Sequence, residues 1–207
     1  MTNIKLIAGL ISILFIAACS PTEKHQELTP NQKIIDAPQV IEFFGYYCPA
    51  CYGVEANLNE WKKSNRHIQV EQIPYSGGVH KKHERMVKAY YISEELGIKD
   101  KLHNRLFKYH IDENKYFASN EDVRDFFTEF GITSQQYEKA NNSLNVLMNV
   151  NRAKKLSEKV GIQRIPSFVI NGEWLTDPSM HKDFGNKLFS EITTLLEKDT
   201  SLDIDPS

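Results

Sequence analysis

A pair of cysteines two residues apart, Cys48-Pro49-Ala50-Cys51, stands directly behind the apolar run QVIEFF at residues 39–44. The run is rich in β-branched and aromatic residues and is bounded by Pro38 and Gly45, so it reads as a strand. Beyond the pair, Cys51, Val54, Leu58 and Trp61 recur at helical spacing. Pro49 suits the first turn of a helix, where its missing N–H is no loss. The chain must therefore pass from strand to helix at the cysteines. This arrangement predicts Cys51 turned inward on the apolar stripe and Cys48 exposed at the helix N-terminus.

Three kinds of chemistry suit two cysteines so placed. A redox pair is favoured by the spacing, which lets the sulfurs meet across one turn. It is favoured too by the helix N-terminus, whose unpaired N–H groups and positive dipole end stabilise a thiolate at Cys48. A zinc site would need four ligands. The chain has no second such cysteine pair, and His80 and His83 are not placed for the usual finger spacing. A purely structural disulfide would close so short a loop that it would constrain the unfolded chain very little.

The third cysteine, Cys19, bears on which reading applies. Lys5 and the apolar stretch LIAGLISILFIAA at residues 6–18 form a signal segment too short for an ordinary membrane span. Ile16-Ala17-Ala18-Cys19 resembles the bacterial lipobox, which implies lipidation of Cys19 as the first mature residue and a membrane-anchored protein. Ser20 after it resembles lipoproteins sorted to the outer membrane. Export places the chain in the oxidising periplasm, where disulfides persist. With Cys19 lipidated, the odd cysteine count reduces to the pair Cys48 and Cys51.

Residues 20–32, SPTEKHQELTPNQ, are polar and hold two prolines; with Cys19 they read as a flexible tether over 19–32. The stretch HIQVEQIPY, residues 67–75, is a second strand ended by Gly77 and Gly78. Helices are expected over 81–97, closed by Gly97; over 119–131, with Ser119 and Asp122 as a capping pair; after Thr133 and Ser134; and over 145–161, ending at Gly161. PSFVINGEWL, residues 166–175, reads as a hairpin about Asn171-Gly172. A last amphipathic helix is expected over 179–197, before an acidic tail at 199–207 that reads as disordered. The order predicts a small α/β domain, residues 33–78 and 161–198, interrupted by a helical insertion at 79–160. The 207 residues, 41% apolar, suffice for a packed core, and a net charge of −2 gives no electrostatic case for nucleic acid.

The ordered set of cysteine pair, helical insertion and proline-led hairpin resembles the DsbA family of periplasmic thiol:disulfide oxidoreductases. The likeness runs through DAPQVIEFFGYYCPACY, SNEDVRDFFTEFGITSQQYEKA and GIQRIPSFVINGEW. It implies a thioredoxin fold with a helical domain inserted between the second conserved strand and a cis-proline hairpin, and no cofactor. By the same resemblance Cys48 is the cysteine that attacks and links to substrate, Cys51 resolves, and Pro166 is the cis-proline. The Ile165 backbone would pair with an extended substrate. Tyr46, Tyr47 and Tyr52 would either offer an apolar surface for unfolded chains or pack into the core. Glu42, inside the strand, would lie beneath the pair and help Cys51 lose its proton. The family usually sets a lysine near that carboxylate, where Val70 stands here, and many members have histidine where this chain has Ala50.

The implied activity is oxidation of reduced exported polypeptides, with re-oxidation by a DsbB-like membrane partner. A periplasmic reductase or isomerase, or a non-catalytic surface lipoprotein using the scaffold to bind, are the alternatives.

Overall fold

The computed structural model describes residues 23–76, 81–181 and 185–200. Its five strands are β1 Gln26–Glu27, β2 Val40–Phe44, β3 Val70–Pro74, β4 Ser167–Ile170 and β5 Trp174–Thr176, ordered β1-β5-β4-β2-β3 in one sheet. β2 lies at the centre, parallel to β3 and antiparallel to β4. All five of its residues are buried. That explains the continuous apolar run: a strand covered on both faces has no solvent side to alternate toward. The fold is α/β, with a block of helices between β3 and β4.

Two helices, α1 Pro49–Ser64 and α7 Asn186–Thr200, cover one face of the sheet. There Val40, Phe168 and Ile170 pack with Val54, Leu58, Leu188 and Ile192. Between β3 and β4 the chain makes α2 Lys81–Glu95, α3 Lys99–Phe107, a π-helical turn Lys108–Asp112, α4 Asn120–Thr128, α5 Ser134–Asn141 and α6 Leu144–Val160. Their apolar faces share one core with the other side of the sheet, Ile41, Phe43, Ile73 and Val169 included. Reciprocal capping boxes start α4 (Ser119 with Asp122) and α5 (Thr133 with Gln136). Gly97, Gly131 and Gly161 follow helices at φ 67°, 74° and 76°, the left-handed backbone that favours glycine. In the hairpin, Asn171 and Gly172 have φ of 50° and 70°, Glu173 N–H donates to the Ile170 carbonyl, and pairing resumes at Trp174.

Several expectations need correction. The flexible tether expected over 19–32 gives way to structure within the described residues. Gln26 and Glu27 pair with Leu175 and Trp174, Leu28 is buried, and Gln32 donates to the Val160 carbonyl. The free edge of β5 supplies those partners, which local composition cannot reveal. β3 is shorter than the stretch 67–75. The last helix starts at Asn186 and not at 179: Asp177 caps only a single turn, Pro178–Met180, after which His181 turns extended. That helix reaches Thr200, into the segment read as a tail. The sequence marks no separate helix over 98–118, where α3 and the π turn form. The signal segment, Cys19, the Gly77-Gly78 turn, His80 and residues 201–207 lie outside the described residues.

Candidate active site

The site forms where β2 ends. The chain crosses residues 45–47 and enters α1 with Cys48 as its N-cap in extended conformation and Pro49 in the first turn. The extended cap residue turns its sulfur back over the helix end, where it accepts the Cys51 N–H at 3.2 Å. The Cys48 thiol also donates to the Ile165 carbonyl at 3.3 Å. Cys48 is half-buried and Cys51 is fully buried, in agreement with the periodicity of α1.

These surroundings drive the two thiols apart. The Cys48 pKa is lowered to about 7, first by its side-chain hydrogen bond with Cys51 and then, against burial, by the N–H groups of Cys51 and Ala50. Burial pushes the Cys51 thiol far up, and its hydrogen bond with Cys48 adds to the shift. At neutral pH one sulfur is thus poised as thiolate while its neighbour keeps its proton. Such a pair can exchange disulfides through the more accessible Cys48 sulfur.

Opposite the pair stands the Ile165–Pro166 peptide, which is cis. Tyr47 is partly exposed and stacks on His83 of α2, ring centroids 3.9 Å apart and planes within 9°. Tyr46 is core, 2% exposed, and Tyr52 stacks on Phe107 while donating to Asp112. Of the three tyrosines, Tyr47 and Tyr52 are partly exposed beside the cysteine pair and Tyr46 is not.

Glu42 is fully buried, on the sheet face that Val40 shares and α1 covers. Its pKa is raised to about 8, first by burial and next by the charge of Glu55, with the Gln72 hydrogen bond opposing. The register corrects its expected neighbour. Val70 pairs with Val40, while Gln72 stands opposite Glu42 and donates to it at 2.8 Å. A neutral amide, not a lysine or a valine, is what Glu42 meets on β3.

Sequence reasoning missed Glu55, Gln72 and His103. Glu55 carried a signal: it follows Cys51 by one turn on the same stripe, an acid among core positions, and is 6% exposed. His103, on α3, carried none.

Residues 39–189 match the family described as DSBA-like thioredoxin domain. The chain belongs to that family. It is a DsbA-like disulfide oxidoreductase. Among DsbA proteins, the thiol:disulfide interchange protein DsbA of Escherichia coli (strain K12) is 29% identical over 178 residues, 83% of this chain and 84% of its own. That of Yersinia pestis is 26% identical over 186 residues, covering 84% and 86%. The crystal structure of Pseudomonas aeruginosa DsbA superposes with a TM-score of 0.75 at 22% identity, over 86% of this chain and 93% of that one. The disulfide oxidoreductase DsbA from Proteus mirabilis gives 0.73 at 23%, over 84% and 95%. The shared DsbA fold extends over nearly the whole of these structures, helical insertion included.

Proposed function

We propose that this DsbA-like enzyme introduces disulfides into reduced exported polypeptides. The observation that carries the reading is the asymmetry of the pair: a half-buried Cys48 with its pKa lowered to about 7 above a fully buried, protonated Cys51. A substrate thiolate attacks the Cys48 sulfur of the oxidised pair. The Cys48–Cys51 bond breaks, a substrate–Cys48 bond forms, and Cys51 leaves with the electron pair and takes up a proton. Glu42, a buried acid that acts electrostatically on Cys51 and is protonated at neutral pH, would supply that proton. A second substrate thiolate then displaces Cys48, whose stabilised thiolate is a good leaving group. Re-oxidation by a DsbB-like membrane oxidase runs the same exchange in reverse, with Cys51 closing the pair.

Substrate in extended form would pair with the Ile165 backbone beside Pro166, within reach of the Cys48 sulfur, and rest against Tyr47. Lipidation at Cys19 would hold the enzyme at a periplasmic membrane face, the outer membrane by the Ser20 signal. Among the described residues no helix is long and apolar enough to cross a membrane.

In a reduced-substrate assay Cys48→Ser should abolish oxidation, and Cys51→Ala should accumulate mixed disulfides through Cys48. Adducts trapped on Cys51 instead would reverse the roles and overturn the reading. Cys19→Ser should remove the lipid mass from the mature N-terminus; native protein that starts elsewhere and is soluble would refute the anchor.

A further inference from the structure

Beneath the cysteines runs a chain of buried and half-buried polar groups contributed by four elements. Glu42 of β2 and Glu55 of α1 are 0% and 6% exposed. One amide stands between them: Gln72 Nε2 donates to Glu42 Oε2 at 2.8 Å and to Glu55 Oε2 at 3.4 Å. On the far side His103 of α3 faces Glu55, its Nε2 3.3 Å from Glu55 Oε1, within electrostatic reach though off the line of a hydrogen bond. The other ring nitrogen of His103 lies 2.8 Å from the buried Tyr46 hydroxyl. With Tyr46 donating to Nδ1, the Nε2 nitrogen carries its hydrogen on the side of Glu55.

Donors are shared unequally between the two acids. Glu55 has the Asn59 amide at 3.2 Å and the second contact of Gln72 as donors, with the His103 Nε2 beside it at 3.3 Å but making no hydrogen bond. Glu42 has Gln72 alone, and its Oε1 is buried with no hydrogen-bond partner among the described residues. An ionised carboxylate is acceptor-only and needs donors, whereas a protonated one carries its own hydrogen. Two buried carboxylates joined through one amide do not both ionise without large cost. We propose that Glu42 and Glu55 hold one proton between them, that it resides on Glu42, and that His103 is the positioning residue that keeps it there by holding Glu55 ionised.

The inference deepens the reading of Glu42 as the proton partner of Cys51, and rests on it for its use in catalysis. It makes the inserted helices part of the redox site: α3 sets which acid under α1 is charged. The charged and titratable groups around His103 are Tyr46 ahead of α1, Glu55, Lys62, Lys63 and Arg66 on α1 and just past its end, Tyr90 on α2, and Lys99 and Asp100 on α3 itself. Those acting on Glu42 are Glu55, Lys62 and Cys48. Glu55, Gln72 and His103 also line an open pocket of about 540 Å³, through which the proton can be restored from solvent after Cys51 has taken it.

The test is infrared spectroscopy of the protein at neutral pH, where a protonated buried carboxyl shows its own carbonyl stretch. One such band is expected in the wild type, lost in Glu42→Gln and kept in Glu55→Gln. With His103→Phe the proton should pass to Glu55, so a band should survive in His103→Phe/Glu42→Gln. His103→Gln, which retains a donor toward Glu55, should leave the band on Glu42. Loss of the band in Glu55→Gln with survival in Glu42→Gln, or its absence from the wild type, overturns the proposal. The two Glu→Gln variants are near-isosteric and decide the matter even where His103→Phe fails to fold. Use of the proton is read separately, from the pH profile of mixed-disulfide resolution in Glu42→Gln. A profile unchanged there while the infrared pattern holds would refute the catalytic reading of Glu42 and leave the proton's location standing.

Discussion

The Cys48 sulfur lies 3.3 Å from the main-chain carbonyl oxygen of Ile165, a residue 117 positions further along the chain. That contact closes the site: it brings the N-terminus of α1 against the strand-leading loop that ends in Pro166. The gap between them is filled by Gly45 and the Tyr47 ring.

Gly45 is where this packing is most easily disturbed. A Cβ there would lie 2.7 Å from Ile165 Cδ1 and 2.9 Å from the Tyr47 ring. The isoleucine tip can rotate away, but the tyrosine ring is held in its stack on His83. Gly45→Ala should therefore destabilise the fold by about 1–3 kcal/mol, the usual range for overpacking, and slow the reaction of Cys48 with a model peptide. Denaturant unfolding with a peptide-oxidation assay checks both. Wild-type stability and rate in the variant would show that the gap is looser than these distances.

Cys48 should titrate near pH 7 in the reduced protein, visible as thiolate absorbance against pH. The sign follows from the lowered folded value. Stabilisation of the reduced fold by this group is fully present above the ordinary thiol value of about 8.5 and fades as pH falls through about 7. Ala50 contributes only its backbone N–H to this effect. A histidine in its place could add a charge-assisted hydrogen bond, about 1.5–3 kcal/mol. At about 30 mV per 1.4 kcal/mol, Ala50→His should make the enzyme more oxidising by about 30 to 60 mV. Its thiolate midpoint should fall and its glutathione equilibrium shift toward the reduced protein. No movement in either would mean that the helix N–H groups already set the potential alone.

Glu42 should give the fold a pH dependence of the opposite sense. Its folded pKa is raised from 4.5 to about 8, so over that window the folded state keeps a proton that the unfolded chain has released. Stability from this group is complete below about pH 4.5 and is lost as pH rises through about 8, at a slope of up to about 1.4 kcal/mol per pH unit. Glu42→Gln should remove that slope, so the variant gains on the wild type steadily between about pH 5 and about pH 8. Unfolding free energies at several pH values measure it. Parallel curves for the two proteins would show that Glu42 is not the proton holder.

The sequence by itself determined the local architecture of the site. The apolar run VIEFF, the helical stripe through Cys51, Val54 and Leu58, and Pro49 in the first turn together specify a buried strand, a helix start and which cysteine faces inward, because strand and helix periods are short-range properties of the chain. Capping pairs and terminal glycines likewise marked α4, α5 and α6. What only the tertiary structure decided was register and long-range company. Whether Glu42 meets Val70 or Gln72 depends on how β3 slides along β2, and a shift of two residues leaves the side-chain faces unchanged, so no hydrophobic pattern distinguishes them. β1 exists because β5 offers it an edge. His103 reaches Glu55 because the fold brings α3 to the side of α1 that carries this acid, 48 positions away in the sequence, and a lone histidine on a helix carries no mark of the acid it will face. A buried charge is an obligation visible in the sequence; the group that meets it is chosen by the fold.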